Sequence, residues 1–448
     1  MDTLFSNISV ITMDERMQVL TNAFVGINDG KIVHLSKKAP EEKPQQIIDG
    51  TGMVLLPGLI NCHTQVEQTL LRGYADDCSE EVRLGQKLYP RLEQMDDRSA
   101  KASALLGIAE CLRLGVTSIS DMATHLNAVA EAVNESGIKA NLAPELTMVM
   151  EEDDFDFDTY PDCMKFVKAA QDWHNHDDGR IKIDAGIQAE YTSAPAMWNA
   201  VSEFAINNKL GMHLNLCQFD WEVEDCEDRT GLTPAEMLDC SDVFVAPTQA
   251  AHCNYLKAAD AALLGKHKVS CVCCPMEDQK LAAGQTPVLT LVKSGMNVAL
   301  GTGSAASCGS LDLLEQARAA ALQAKLKSGD PESLTAEAAL LMATSCGARA
   351  QGRQAECGMI KLGMDADLIA LDFTQPYLIP THNLISNTVY AASGRDVCMT
   401  MVRGKILYAG GKFPTIDLPA VMTELAEYAM DQVFTEKDKK GEDEEEQD

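Results

Sequence analysis

The rhythm of apolar and polar positions changes near residue 57. Before it, short runs ("SVIT", "AFVGI", "KIVHL" and "GMVLLPG") sit around an Asn-Asp-Gly turn at residues 28–30, the pattern of half-buried strands joined by tight turns. From Pro57 onward, short apolar runs alternate with longer stretches of helical period. The strand candidates are "GLINCH", "VTSISDM", "IKANLAP", "RIKIDAGIQ", "GMHLNL", "VFVAPTQAAH", "KVSCVCC" and "NVALGT". Between them lie "RSAKASALLGIAECLRLG", "NAVAEAVNESG", "AMWNAVSEFAINN" and "TPVLTLVKSG", which close on or near Gly, where helices commonly end. After "ARAQGRQAECG" the strand rhythm returns in "ADLIALDF" and "VCMTMVRGKILYAGG".

Eight apolar strands, each followed by a helix, predict a closed parallel (β/α)8 barrel of the TIM type, an α/β fold. A doubly wound open sheet competes, but no GxGxxG or Walker-type motif is present. Strand sets at both chain ends predict a small β-sandwich domain built from both termini. The expected organisation is residues 1–57 and 357–413 for the two parts of that domain and 58–356 for the barrel. A terminal helix is expected over 414–435 and an acidic, disordered tail over 436–448.

At 448 residues with 46% hydrophobic and 23% charged, the chain has the composition of a globular protein too long for one small core. Its formal net charge is -30, and the run "EKDKKGEDEEEQD" carries only five of those charges, so the body is acidic too. Such a surface repels phosphate backbones and anionic membranes. The expected partner is a small molecule, with no nucleic acid and no membrane. The 15 cysteines are odd in number and scattered, without paired CxxC motifs, which suits reduced thiols and a cytoplasmic location. Trp173 and Trp198 fall on helical patterns and read as core.

In a barrel of this kind, functional side chains sit at the C-terminal ends of the strands. His63, His213 and His252 occupy such positions, and the last strand ends in "GTG". His63 and Gln65 are two residues apart and are expected to face the same way, into the barrel.

The order and spacing of "VGINDGKIVHL", "PGLINCHT", "LLRGYADD", "GVTSISDM", "AAHCNYL", "KLAAGQTPV", "VALGTG" and "GMIKLGMDADLIALD" resemble the amidohydrolase superfamily. The likeness is to its cytosine-deaminase-like branch: adenosine-type and S-adenosylhomocysteine deaminases, guanine deaminase and triazine chlorohydrolases. The resemblance implies hydrolysis of a non-peptide C–N bond in a purine-like or triazine-like heterocycle, and a homodimer. It also implies one divalent metal held by an HxH pair, a histidine on strand five and an Asp on strand eight, with a strand-six histidine nearby. A Glu three residues after the strand-five histidine carries protons.

Carried onto this chain, that pattern is only partly kept. His63, His213 and His252 match the three histidines, but Gln65 replaces the second HxH histidine, Leu216 the proton-carrying Glu, and Gly303 the strand-eight Asp. The usual "HAPYT" reads "QAEYT" with Gln188 and Glu190, and "HCPxSN" reads "CCPMED" with Cys273, Glu277 and Asp278. With Gln65, these are the expected substrate-facing residues. An amide oxygen is a poor zinc ligand beside imidazole, and each lost acid or base removes roughly 10²–10⁴ in rate.

Two readings therefore stand. In one, a hydrolase keeps an altered site in which His63, His213 and His252 hold one divalent metal, zinc or iron. In the other, a metal-free pseudoenzyme binds a small ligand or serves as a non-catalytic subunit. Cys273 is an alternative ligand, while Cys217, Cys271 and Cys274 read as strand packing. Glu67, Glu190, Glu277 and Asp278 are expected to be solvated loop acids. If instead the last three face the pocket, they favour an amino-rich or cationic heterocycle. Asp76 and Asp77 belong to the loop after the first strand, where substrate contact and a purely structural role are both open.

Overall fold

The computed structural model describes residues 1–148 and 152–434. Eight parallel strands form the barrel: Leu59–Thr64, Val116–Ala123, Lys139–Pro144, Ile181–Ile183 continued by Ala185–Ile187, Met212–Leu216, Thr248–His252, Ser270–Cys273 and Asn297–Leu300. The fourth is interrupted at Asp184. Its first half pairs with Lys139–Pro144 and its second with Met212–Leu216. The ring closes where the backbone N–H groups of Thr302 and Gly303 reach the His63 carbonyl at 3.1 and 3.0 Å. These strands are buried along almost their whole length, as parallel strands covered on both faces must be.

Side-chain alternation divides the barrel into two layers. Ile60, Cys62, Ala251, Val272, Cys274 and Ala299 form an inner cluster. Ile119, Leu142, Leu214, Cys271, Cys273 and Leu300 pack in the larger cluster that includes the surrounding helices. Long helices cover the strands, among them Asp97–Arg113, whose first turn is capped by the Asp96 carboxylate accepting from the Ser99 N–H at 2.8 Å. One expected strand is shorter than its apolar run. "VFVAPTQAAH" pairs only from Thr248, because the residues before it form a turn ending at Pro247, with Val245 exposed.

The small β-domain is one mixed sheet of eight strands drawn from both chain ends. Met53–Pro57 runs antiparallel to Leu368–Asp372, with Leu55 opposite Ala370, and Phe5, Val25, Leu55, Leu368 and Met401 share its core. The terminal helix is observed as Leu418–Glu424, a wider π-type stretch Leu425–Ala429, and Met430–Val433. The acidic tail at 436–448 lies outside the described residues. Among those described, no helix is long and apolar enough to cross a membrane.

Candidate active site

Strand ends converge on a small mouth cavity of about 50 Å³. His63, Gln65, Glu145, Gln188, His252 and Glu277 line it, and Leu84, Leu88, Tyr89 and Tyr191 supply apolar walls. Two histidines reach this mouth by leaving the regular alternation. The pairing register of the first strand slips between Asn61 and Thr64, so His63 follows inward-facing Cys62. His252 has a φ of 70°, a left-handed conformation that a non-glycine residue adopts only when its surroundings enforce it.

The structure brings the three histidines together, all buried. The His63 and His213 rings lie 5.1 Å apart centre to centre, and His63 and His252 lie 5.4 Å apart, both edge to face. His63 Nδ1 and His213 Nε2 face each other at 3.0 Å, one donating to the other. Burial, and then repulsion from His213 and His252, keep His63 well below its ordinary pKa, and burial, with repulsion from His252, pushes His213 down to about 4. Both are neutral at physiological pH. His252 behaves oppositely: burial resists its protonation, but the Asp278 carboxylate on its Nδ1 at 2.9 Å raises its pKa, aided by Glu277 and Glu222.

The carboxylates correct the sequence reading. Glu67, Glu190, Glu277 and Asp278 are not solvated; all four are buried. Glu67 accepts from the backbone N–H groups of Thr124 and His125, the latter at 3.0 Å, and so pins the loop after the second strand. Glu190 is paired with the Arg229 guanidinium at 3.0 Å and does not line the cavity. Asp278 orients His252. Cys273 points into the outer layer with Cys271, whereas Cys274 is the cysteine that faces the barrel interior. Asp76 is tied to Lys280 at 2.6 Å, a structural role. Trp198 is core, and Trp173 packs at its edge.

Gln188, Glu277 and Gln65 do line the mouth. Glu277 is the informative one. A Cβ at position 303 would overlap its carboxylate. The acid missing from the end of the eighth strand is thus replaced in space by one from the short helix after the seventh. Gly303 has a φ of 68°, a backbone state that glycine tolerates easily. Burial raises the Glu277 carboxyl to about 6 against the lowering effect of His252.

Glu145, immediately after the third strand, escaped the sequence reading. It lines the cavity, accepts from Gln65 Nε2 at 3.4 Å, and is raised to about 7 by burial and then by the charge of Glu67. Arg83 was also missed. Its guanidinium grips Glu80 through two hydrogen bonds of 2.7 Å and reaches Ser307 Oγ at 2.9 Å. It thereby fixes the helical segment that roofs the mouth. Neither residue belongs to a recognisable motif; a Glu just past a barrel strand was the only available signal.

The family's metal set does not fit this mouth. Gln65 contributes no imidazole and turns its amide to Glu145; Gly303 contributes no carboxylate; and His63 and His213 hydrogen-bond to each other. Leu216, at the proton-carrier position, is a buried core side chain.

A (β/α)8 barrel with histidines at the ends of its first, fifth and sixth strands, flanked by a two-ended β-domain, has the architecture of a metal-dependent hydrolase. Residues 54–407 match the model of the amidohydrolase family, and the chain belongs to that family. It is 35% identical over 410 residues to a 5-methylthioadenosine/S-adenosylhomocysteine deaminase of Moorella thermoacetica, covering 91% of this chain and 94% of that one. It is 34% identical over 423 residues to a 5'-deoxyadenosine deaminase of Methanosarcina acetivorans, covering 94% and 96%. Among solved structures, a zinc-bound adenosine deaminase from Xanthomonas campestris superposes with a TM-score of 0.89 at 27% identity, covering 97% and 99%. An atrazine chlorohydrolase from Arthrobacter aurescens shares the fold, with a TM-score of 0.87 at 20% identity, covering 95% and 100%.

Proposed function

We propose that this protein takes an amino-substituted, purine-like heterocycle into the mouth cavity and hydrolyses its exocyclic C–N bond, releasing ammonia and leaving an oxo group on the ring. The observation that carries the reading is the Glu277 carboxylate, which occupies the volume vacated at Gly303 beside His63 and His252. The mouth has been rebuilt around an acid in a new place. Its adenosine-type relatives favour a purine-like ring. Glu145 and Glu277 favour an amino-rich ligand, since the one guanidinium lining the cavity, Arg83, is engaged by Glu80.

Hydrolysis needs a proton taken from water and protons given to the ring nitrogen and the leaving amine. Glu277, near pKa 6, is ionised at neutral pH and accepts the water proton as the oxygen adds to the ring carbon. Glu145, raised to about 7, is the acid that delivers a proton to the ring. The proton on Glu277 then passes to the departing nitrogen, which leaves as ammonia, while the added hydroxyl returns its proton to Glu145, leaving the oxo group on the ring and both acids as they began. Gln188, Asn215 and Gln218 offer amide groups to the ring edge, and Tyr89 and Tyr191 offer aromatic faces.

Ammonia release from adenosine, 5'-deoxyadenosine, 5-methylthioadenosine and an aminotriazine tests the reading. Turnover of a purine nucleoside that falls at least 100-fold in Glu277→Gln supports it. A second reading, favoured by the buried apolar Leu216 at the proton-carrier position, is ligand binding without chemistry. It prevails if these compounds raise the melting temperature, none releases ammonia, and Glu277→Gln binds them equally.

A further inference from the structure

The interior of the barrel contains a second donor set, which shares only His252 with the three histidines. His252, Cys274 and Glu277, all buried, bring one nitrogen, one sulfur and one carboxylate oxygen within 4.8 Å of one another. Among the described residues this is the one group of three or more His, Cys, Asp or Glu that comes so close. Each partner arrives by a separate structural cause. Cys274 follows inward-facing Val272 by strand alternation and joins the inner cluster. Glu277 is carried in by the short helix Pro275–Lys280. His252 comes from the left-handed end of its own strand.

Two glycines open the space. A Cβ at Gly301 would stand 2.8 Å from the His63 Cβ and 3.0 Å from Cys274 Sγ, and one at Gly303 would overlap the Glu277 carboxylate. The carboxylate also has an unmet need: Glu277 is 5% exposed, and its Oε2 has no hydrogen-bond partner. A buried charged oxygen without a partner is costly. His252 is oriented as metal-binding histidines usually are, with its Nδ1 held by the Asp278 carboxylate at 2.9 Å.

We infer that His252, Cys274 and Glu277 form a divalent cation site of mixed nitrogen, sulfur and oxygen donors, displaced from the family's histidine-based position toward the seventh strand. The donor set suits zinc, with the cavity supplying the fourth, exchangeable position. On binding, the Cys274 thiol loses its proton to solvent and the sulfur coordinates as thiolate. The site lies in the same mouth as the proposed hydrolysis, but its existence does not depend on that activity.

Cobalt(II), titrated into full-length protein stripped with chelator, is the probe. The expected result is one bound equivalent with a thiolate-to-cobalt charge-transfer band. The band should disappear in Cys274→Ser, affinity should fall at least tenfold in Glu277→Gln, and both should persist in His213→Ala. A band that survives in Cys274→Ser overturns the inference, as does binding lost in His213→Ala, or no cobalt bound at all. Should a variant fail to fold, X-ray absorption of the zinc-loaded wild type decides. A sulfur neighbour at about 2.3 Å supports the site, and a shell of nitrogen and oxygen alone refutes it. Cobalt bound in this way without ammonia release leaves the site standing and removes the hydrolysis reading; ammonia release without cobalt binding does the reverse.

Discussion

At the scale of single residues, the site turns on an exchange of volume between positions 277 and 303. Gly303 and Glu277 fit together because one lacks the atoms whose place the other fills. Gly303→Asp alone should therefore overpack the mouth and destabilise the protein by about 1–3 kcal/mol in urea denaturation. Adding Glu277→Ser should restore the part of that loss that comes from overpacking, leaving the cost of an Asp at the left-handed φ of 68°. Additive effects of the two changes would show that they do not share the space. Glu145 gives a pH signature. Its pKa rises from 4.5 to about 7 on folding, so the folded chain binds the proton more tightly than the unfolded chain. Stability then falls as pH rises through that window, by at most roughly 3 kcal/mol from this residue. Glu145→Gln should match the wild type near pH 4 and exceed it in stability above pH 7. A difference between the two that is flat with pH would rule this out.

At the scale of elements, the roof of the mouth is the segment Val82–Leu88, wound as a π-type helix, followed by Tyr89–Leu92. Its polar anchors include Arg83 with Glu80 and Ser307, and Arg91, which donates to the Tyr74 hydroxyl at 3.1 Å and sits 5.4 Å from the Phe434 ring centre in the terminal helical region. Leu88 and Leu92 pack in the cluster beneath. Arg83→Ala should leave the melting temperature within a few degrees of wild type and speed backbone hydrogen exchange over residues 80–92. Unchanged exchange there would show that the roof is held by packing alone. The same scale explains which cysteine matters. Motif matching singled out Cys273, but alternation along Ser270–Cys273 sends Cys271 and Cys273 to the helices and Val272 and Cys274 inward. A one-residue difference reverses a side chain's face.

At the scale of the whole molecule, the two ends of the chain are joined to the barrel from below. Lys139, wholly buried on the third strand, meets Asp365 and Asp367 at 2.5 Å each. Nearby, Arg353 is equally buried and donates to Asn141 Oδ1 at 2.9 Å and to the carbonyls of Ala140, Gly179 and Arg180. Asp365 has further cations in Lys31 and Arg403, whereas the Asp367 carboxylate depends on Lys139 for its ion pair. Lys139→Ala should cost about 3–5 kcal/mol, the usual penalty for stranding a buried charge, read as a lower denaturant midpoint. A loss below 1 kcal/mol would mean that water reaches this junction.

Much of this was legible from residue order. Strand and helix periods and the strand-rich chain ends follow from local spacing, because alternation and helical period are properties of neighbouring residues. The substitutions Gln65, Leu216 and Gly303, by contrast, were legible only against the resemblance to the amidohydrolase superfamily. What local spacing does not contain is which groups from distant elements share one volume. Only the closed barrel set Glu277 into the space left at Gly303, paired Glu190 with Arg229, tied Gln65 to Glu145 and chose Cys274 over Cys273. Burial, the largest cause of the Glu145, Glu277, His63 and His213 pKa shifts, comes from the same packing. The chain order settled what the barrel is made of; three-dimensional closeness settled which of its groups face one another.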